Sequence, residues 1–124
     1  MTTPAPHAVE GLWRPVRAEL DGVEAPVMVI ERTELTLHAG IYAVRFAAEH
    51  HDRGRYEIIA VDSGHARLIL TGTHGENAGR TLPAIYQLVG NRLRICYGLN
   101  GVTPDTFSTR VDSSRYLVSY RRDE

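Results

Sequence analysis

All six tyrosines of this chain alternate with other apolar residues at a spacing of two, a period that selects strands over helices. Tyr42 alternates with Val44 and Phe46, Tyr56 with Ile58, and Tyr86 with Leu88. Tyr97 follows Leu93 and Ile95 at the same interval, and Tyr116 precedes Val118 and Tyr120. Residues two apart in a strand share a face, so every phenol is expected on one apolar side. A buried hydroxyl needs a hydrogen-bond partner. An interior with this many phenols therefore suggests a cavity holding water or a ligand more than a dry core.

From Gly11 onward, short alternating stretches are separated by turn chemistry at fairly even spacing, the pattern of an all-β barrel or sandwich. Residues 12–20 read as a first strand, closed by the turn dipeptide Asp21-Gly22. Strands are expected at 33–38, 41–48, 55–61, 65–72, 80–88, 92–97 and 115–122. A polar loop is expected at His50-His51-Asp52-Arg53-Gly54, a turn at Asp62-Ser63-Gly64, and a Gly-containing loop over 72–79. Gly90-Asn91 predicts a tight hairpin, and residues 98–113 the longest loop. Residues 26–31 leave strand, helix and lid all open, and no stretch reads convincingly as a helix. The expectation is an all-β, eight-stranded antiparallel up-and-down barrel over residues 10–124, preceded by a flexible tail at 1–9. Closure removes exposed sheet edges, and eight strands enclose room for one small ligand. A two-sheet sandwich is the alternative.

At 124 residues the chain is one domain large enough to fold without metal or disulfide staples. Fourteen arginines and no lysine face fifteen acids, interspersed along the chain, so nucleic acid is not an expected partner. No run of about 20 apolar residues suggests a membrane span. The opening Met-Thr-Thr-Pro-Ala-Pro-His-Ala lacks a basic start and an apolar stretch, so a cytoplasmic setting is expected. Cys96, the lone cysteine, sits mid-strand and reads as a small inert side chain.

The motif Gly11-Leu12-Trp13 resembles the Gly-x-Trp signature of lipocalins, in which the Trp plugs one barrel end beneath an Arg from a late strand. More closely, the chain from Gly11 to Arg122 looks like a small bacterial lipocalin-like, calycin-type domain family of uncharacterised function. Matching pieces include Ala18-Glu19-Leu20-Asp21-Gly22, Gly54-Arg55-Tyr56, Gly79-Arg80-Thr81, Ile85-Tyr86-Gln87-Leu88, Leu93-Arg94-Ile95-Cys96-Tyr97, Pro104-Asp105-Thr106-Phe107-Ser108 and Leu117-Val118-Ser119-Tyr120-Arg121-Arg122. The resemblance implies a closed barrel in which Arg122 stacks on Trp13, a favourable cation–π arrangement. Thr103 stands where relatives often carry Arg before the Pro of Pro-x-x-Phe, which weakens an anion clamp at that rim. Many relatives also begin with a secretion signal.

The candidate ligand-binding residues are Tyr42, Phe46, Tyr56, Tyr86, Tyr97, Tyr116 and Tyr120. Leu35, Leu37, Ile58, Leu68, Leu70, Leu93, Ile95 and Val118 supply the apolar wall. The plain reading is that the same rings fill a compact barrel and bond to one another or to trapped water. No cofactor is expected. Nor is a metal: His7, His38, His50, His51, His65 and His74 fall in the tail, in turns or at strand ends without ligand spacing. Asp62-Ser63-Gly64-His65 has triad residue types packed into one turn, which precludes triad geometry. Arg45, Arg67 and Arg94 fall on the outer parity and read as solvated. Were the barrel to dimerise, Ile41, Ile59 and Ile69 would supply contacts on that face.

The leading expectation is a small-molecule-binding barrel, monomeric or homodimeric, taking an apolar or amphipathic ligand without altering it. An isomerase or cyclase at the barrel mouth is the enzymatic alternative, and a non-catalytic interaction scaffold the third. A shortage of inward acids weighs against acid–base chemistry, since Glu57 and Gln87 are on the outer parity. Glu19 shares parity with Trp13 unless Pro15 introduces a bulge.

Overall fold

The structure, a computed structural model, describes residues 6–47, 49–60 and 66–123. Its elements are β1 (Gly11–Leu20), β2 (Val23–Glu24), α1 (Val27–Arg32), β3 (Thr33–His38), β4 (Ile41–Phe46), β5 (Glu49–Ala60), β6 (Ala66–Gly75), β7 (Thr81–Val89), β8 (Arg92–Gly98) and β9 (Arg115–Arg122). Consecutive strands from β3 to β9 pair antiparallel, and β1 pairs with both β3 and β9. That double pairing closes eight strands into an up-and-down barrel, with the two-residue β2 as an edge strand beside β1.

Parity explains the core. Trp13, Leu35, Leu37, Tyr42, Leu68, Leu70, Leu93, Ile95, Val118 and Tyr120 are all buried on the inner face. In β1 the register with β9 slips between Pro15 and Arg17. Val16 is the extra residue, so inward parity passes from Trp13 and Pro15 to Ala18, and Glu19 turns outward. Its carboxylate accepts a hydrogen bond from Thr109 in the 99–114 loop.

The end holding Trp13 also carries the β3–β4 and β7–β8 hairpins. Trp13 is fully buried, and its indole N–H donates to the Val9 carbonyl at 2.8 Å. The Arg122 guanidinium lies 4.4 Å over the indole and donates to the carbonyls of Ala8 and Glu10. Residues 6–9 thus differ from a free tail: Pro6–Val9 form a 3-10 turn, and Val9 is buried beneath it.

At the opposite end, Asp21-Gly22 turns with both residues at positive φ, the conformation a two-residue hairpin of this twist requires. Residues 26–31 resolve into α1, whose Ile30 packs against the core and whose Val29 carbonyl accepts from the Thr33 hydroxyl at 2.7 Å. Six residues are too few for a helix pattern to be read locally, and tertiary packing decides the segment. The 99–114 loop folds back over the outer wall. Ile85 and Cys96, outward by parity, are buried on that side, and Ser108 hydrogen-bonds at Cys96.

Two expected loops are strand instead. The polar stretch 50–54 lies within β5, and residues 72–75 lie within β6, paired with it through Gly54–Gly72 and Asp52–Gly75. Residues 50–54 pair with neighbours on both sides and 72–75 with β5, and that backbone pairing outweighs polar composition. The Asp62-Ser63-Gly64-His65 turn lies outside the described residues. No described helix is long and apolar enough to cross a membrane.

Candidate functional site

Three of the phenols, Tyr97, Tyr116 and Tyr120, touch one another inside the barrel. Tyr97 on β8 and Tyr120 on β9 share a hydrogen bond between their hydroxyls at 2.9 Å. Tyr116 stacks on Tyr97, with ring centroids 5.9 Å apart. Tyr42 on β4 reaches toward the α1 end, where its hydroxyl donates to Asp52 Oδ2 at 3.4 Å. Tyr56 and Tyr86 are buried as well. Phe46 differs from the other candidates. It ends β4 at the barrel rim and is 37% exposed.

Sequence reading places Asp52 in a polar loop, where it enters only as a weak partner of His38 and His50 or His51; the structure puts it on β5 with its side chain inside the barrel. It is the one buried polar or charged side chain among the described residues, at 6% exposure. Besides Tyr42, it accepts from the Asn77 side-chain amide at 2.7 Å and from the Asn77 backbone N–H at 3.3 Å. Asn77 in turn accepts from Arg80, whose guanidinium also donates to the Leu99 carbonyl at 2.6 Å. This chain of bonds ties the 76–80 turn and the start of the long loop to the carboxylate inside the barrel. No described basic side chain forms an ion pair with Asp52. A signal existed in the sequence, because Asp52 continues the inward alternation of Gly54, Tyr56 and Ile58. Gly54 makes room for it: its missing side chain leaves space for the Tyr42 ring and the Thr71 carbonyl.

Burial sets the electrostatics. It pushes the Tyr42 phenol up to about 12, with the Asp52 charge and hydrogen bond adding to the effect. Burial also raises Tyr97, and burial together with the neighbouring Tyr97 raises Tyr120. At neutral pH these groups are therefore protonated donors. A phenol whose folded value exceeds its unfolded value near 10 adds stability below pH 10 that is lost as pH climbs through the folded value. Stability is expected to hold level through about pH 9 and to fall from about pH 10 upward. Absorbance titration of phenolate in the native protein should show Tyr42, Tyr97 and Tyr120 still protonated near pH 11. Ionisation of all six together near pH 10 in folded protein would contradict the buried arrangement.

The Tyr86 hydroxyl stands apart. Tyr86 is 4% exposed, and its oxygen is buried with no hydrogen-bond partner among the described residues. Burial alone raises its phenol above the ordinary value.

Elsewhere, no group of three described His, Cys, Asp or Glu side chains gathers as a metal site. His38 lies on the surface beside Glu10, with the nitrogen 3.7 Å from the carboxylate, and His74 bonds the Thr73 hydroxyl at 2.9 Å. The side chains of His7, His50, His51 and His65 fall outside the described residues. Arg67 is exposed on the outer wall, where Arg94 is also found, stacked at 4.0 Å on Phe107. Glu57 and Gln87 are exposed. Fold and site together define a closed antiparallel barrel with tyrosines on its inner face and, among the described residues, one internal carboxylate. The chain matches no known protein-family model, no curated protein and no solved structure.

Proposed function

We propose that this protein is a lipocalin-like carrier that binds a small, largely apolar or amphipathic molecule inside the barrel without altering it. The observation that carries the reading is the Tyr86 hydroxyl, buried on the inner face without a partner among the described residues. An unmatched buried hydroxyl costs about 1–3 kcal/mol, a cost a guest with an acceptor atom would relieve. Protonated phenols offer donors and Asp52 offers an acceptor, so a guest could be oriented from both sides. Trp13 beneath Arg122 agrees with the lipocalin-like resemblance of Gly11-Leu12-Trp13. The buried thiol of Cys96 suits a reduced compartment such as the cytoplasm.

The test uses the neutral fluorescent probe N-phenyl-1-naphthylamine, followed by native mass spectrometry against lipophilic metabolites. Saturable fluorescence enhancement by folded protein is expected. Tyr86→Phe should raise the stability of the unliganded protein by about 1 kcal/mol, because it removes an unsatisfied hydroxyl. For a metabolite that presents an acceptor to that hydroxyl, affinity should drop about 2–10-fold. A barrel that takes up neither probe nor metabolite, with Tyr86→Phe only more stable, would leave the rings as plain core.

Asp52 favours a second reading, the isomerase or cyclase. A carboxylate inside the barrel is the general base whose absence weighed against acid–base chemistry. Asp52→Asn separates the two readings. A carrier keeps its affinity for a neutral guest within about threefold, a difference under 1 kcal/mol. An enzyme loses turnover of that guest while still binding it.

A further inference from the structure

Register gathers arginines that the sequence scatters. Across the outer wall of β7, β8, β9 and β1, one row of opposed residues runs Val89, Arg92, Arg121, Arg14. The next row runs Gln87, Arg94, Ser119, Arg17. Arg14 is neutralised by Glu34 and Asp123, and Arg17 by Glu24 with Glu19 nearby. Among the described residues, Arg94 meets the neutral Gln87 carbonyl, at 2.8 Å, and the face of Phe107. Arg92 and Arg121 form no ion pair with any described carboxylate, although they stand directly opposite each other. Opposed like charges in an antiparallel pair are destabilising, with Cβ atoms about 5 Å apart.

Arg17, Arg92, Arg94 and Arg121 line an open groove of about 490 Å³, with Ser119 among them and Val16 and Val89 exposed along it. A second depression shares Val89, Arg92 and Arg121 and extends the groove toward the Trp13 end. The groove opens on the outer wall, and Leu93 and Tyr120, whose side chains are buried on the inner face, also border it.

We infer that this groove is a phosphoryl-recognition site for a small soluble phosphate ester. Guanidinium forks stay charged and pair bidentately with phosphate oxygens. A tetrahedral dianion presents acceptors in several directions at once, which suits Arg92, Arg94 and Arg121 arriving from two strands and a hydroxyl from Ser119. A planar carboxylate engages such forks in one plane only. The ester's organic part would lie against Val16 and Val89. A bound dianion also offsets the repulsion that the register imposes between Arg92 and Arg121.

The test is titration of the full chain with inorganic phosphate and with phenyl phosphate at low ionic strength, read by NMR at the arginine side chains and the Ser119 amide. Saturable shifts confined to Arg92, Arg94, Arg121 and Ser119 are expected, with phenyl phosphate the tighter of the two. Arg121→Gln and, separately, Arg92→Gln should each weaken binding at least tenfold. Each should also melt higher than the parent in phosphate-free buffer, because a repulsion is removed, and should lose the upward shift that phosphate gives the parent. Arg67→Gln on a distant strand serves as the control and should change none of these. The proposal is overturned by shifts that never saturate, by equal shifts with acetate at matched ionic strength, or by Gln variants that bind as the parent does. Attachment to phosphatidylserine vesicles without response to either soluble phosphate would overturn it too, in favour of a membrane surface.

Discussion

Trp13→Ala is expected to cost about 3–5 kcal/mol of folding free energy, read as a lower urea midpoint followed by far-ultraviolet circular dichroism. The indole is fully buried at the end of the barrel, so truncation opens a cavity that surrounding strands cannot fill. Two further contacts vanish with it, the N–H bond to Val9 and the stacking of Arg122. The stack positions Arg122 to hold the Ala8 and Glu10 carbonyls, so loss of the ring should also free the Pro6–Val9 turn. Trp13→Phe keeps most of the apolar area and should recover more than half of the loss. With a whole domain worth about 5–15 kcal/mol, the alanine variant should sit near the edge of folding at 37 °C. A loss under about 1 kcal/mol would mean that this end is not sealed by the indole.

Gly54→Ala is expected to be as damaging for the opposite reason, overpacking. A Cβ at Gly54 would sit 2.1 Å from the Thr71 carbonyl oxygen, 2.6 Å from a Tyr42 ring carbon and 2.9 Å from the Gly72 Cα. Two of those atoms are backbone, so β5 and β6 must separate where their register already shifts, between Arg53 and Gly54. Overpacking typically costs 1–3 kcal/mol, and a backbone clash this close should cost about 3 or more. Displacing the Tyr42 ring should also pull its hydroxyl from Asp52, so Tyr42 should ionise at lower pH than in the parent. Gly79→Ala is the comparison. Nothing lies within 4 Å of its added carbon, and only its φ of +80° opposes the change. It should cost about 1–2 kcal/mol and leave Tyr42 alone. Equal losses in the two variants would show that the close approach at Gly54 is not the cause.

Much of the barrel was legible because a two-residue period is a local property. Strand β3 spans the residues read from Leu35 and Leu37, and β9 those read from Tyr116 to Arg122. The Pro15 bulge was legible as a condition, since a residue without an N–H disturbs the ladder wherever it stands. What misled was composition. The run His50-His51-Asp52-Arg53-Gly54 is polar enough to read as a loop, yet pairing with β4 and β6 keeps it in the sheet. That reading hid Asp52, the one internal carboxylate among the described residues, and with it the link from Tyr42 through Asn77 to Arg80.

The amino-acid order by itself determined an all-β chain, the face each tyrosine takes and the approximate bounds of most strands. These follow from alternation and turn chemistry, which act over a few residues. Only the tertiary structure decided that residues 27–32 coil into a helix, that Cys96 lies beneath a loop and that Arg92 opposes Arg121. Each depends on which strand lies beside which. Register brings together side chains tens of residues apart, and no local period carries that information.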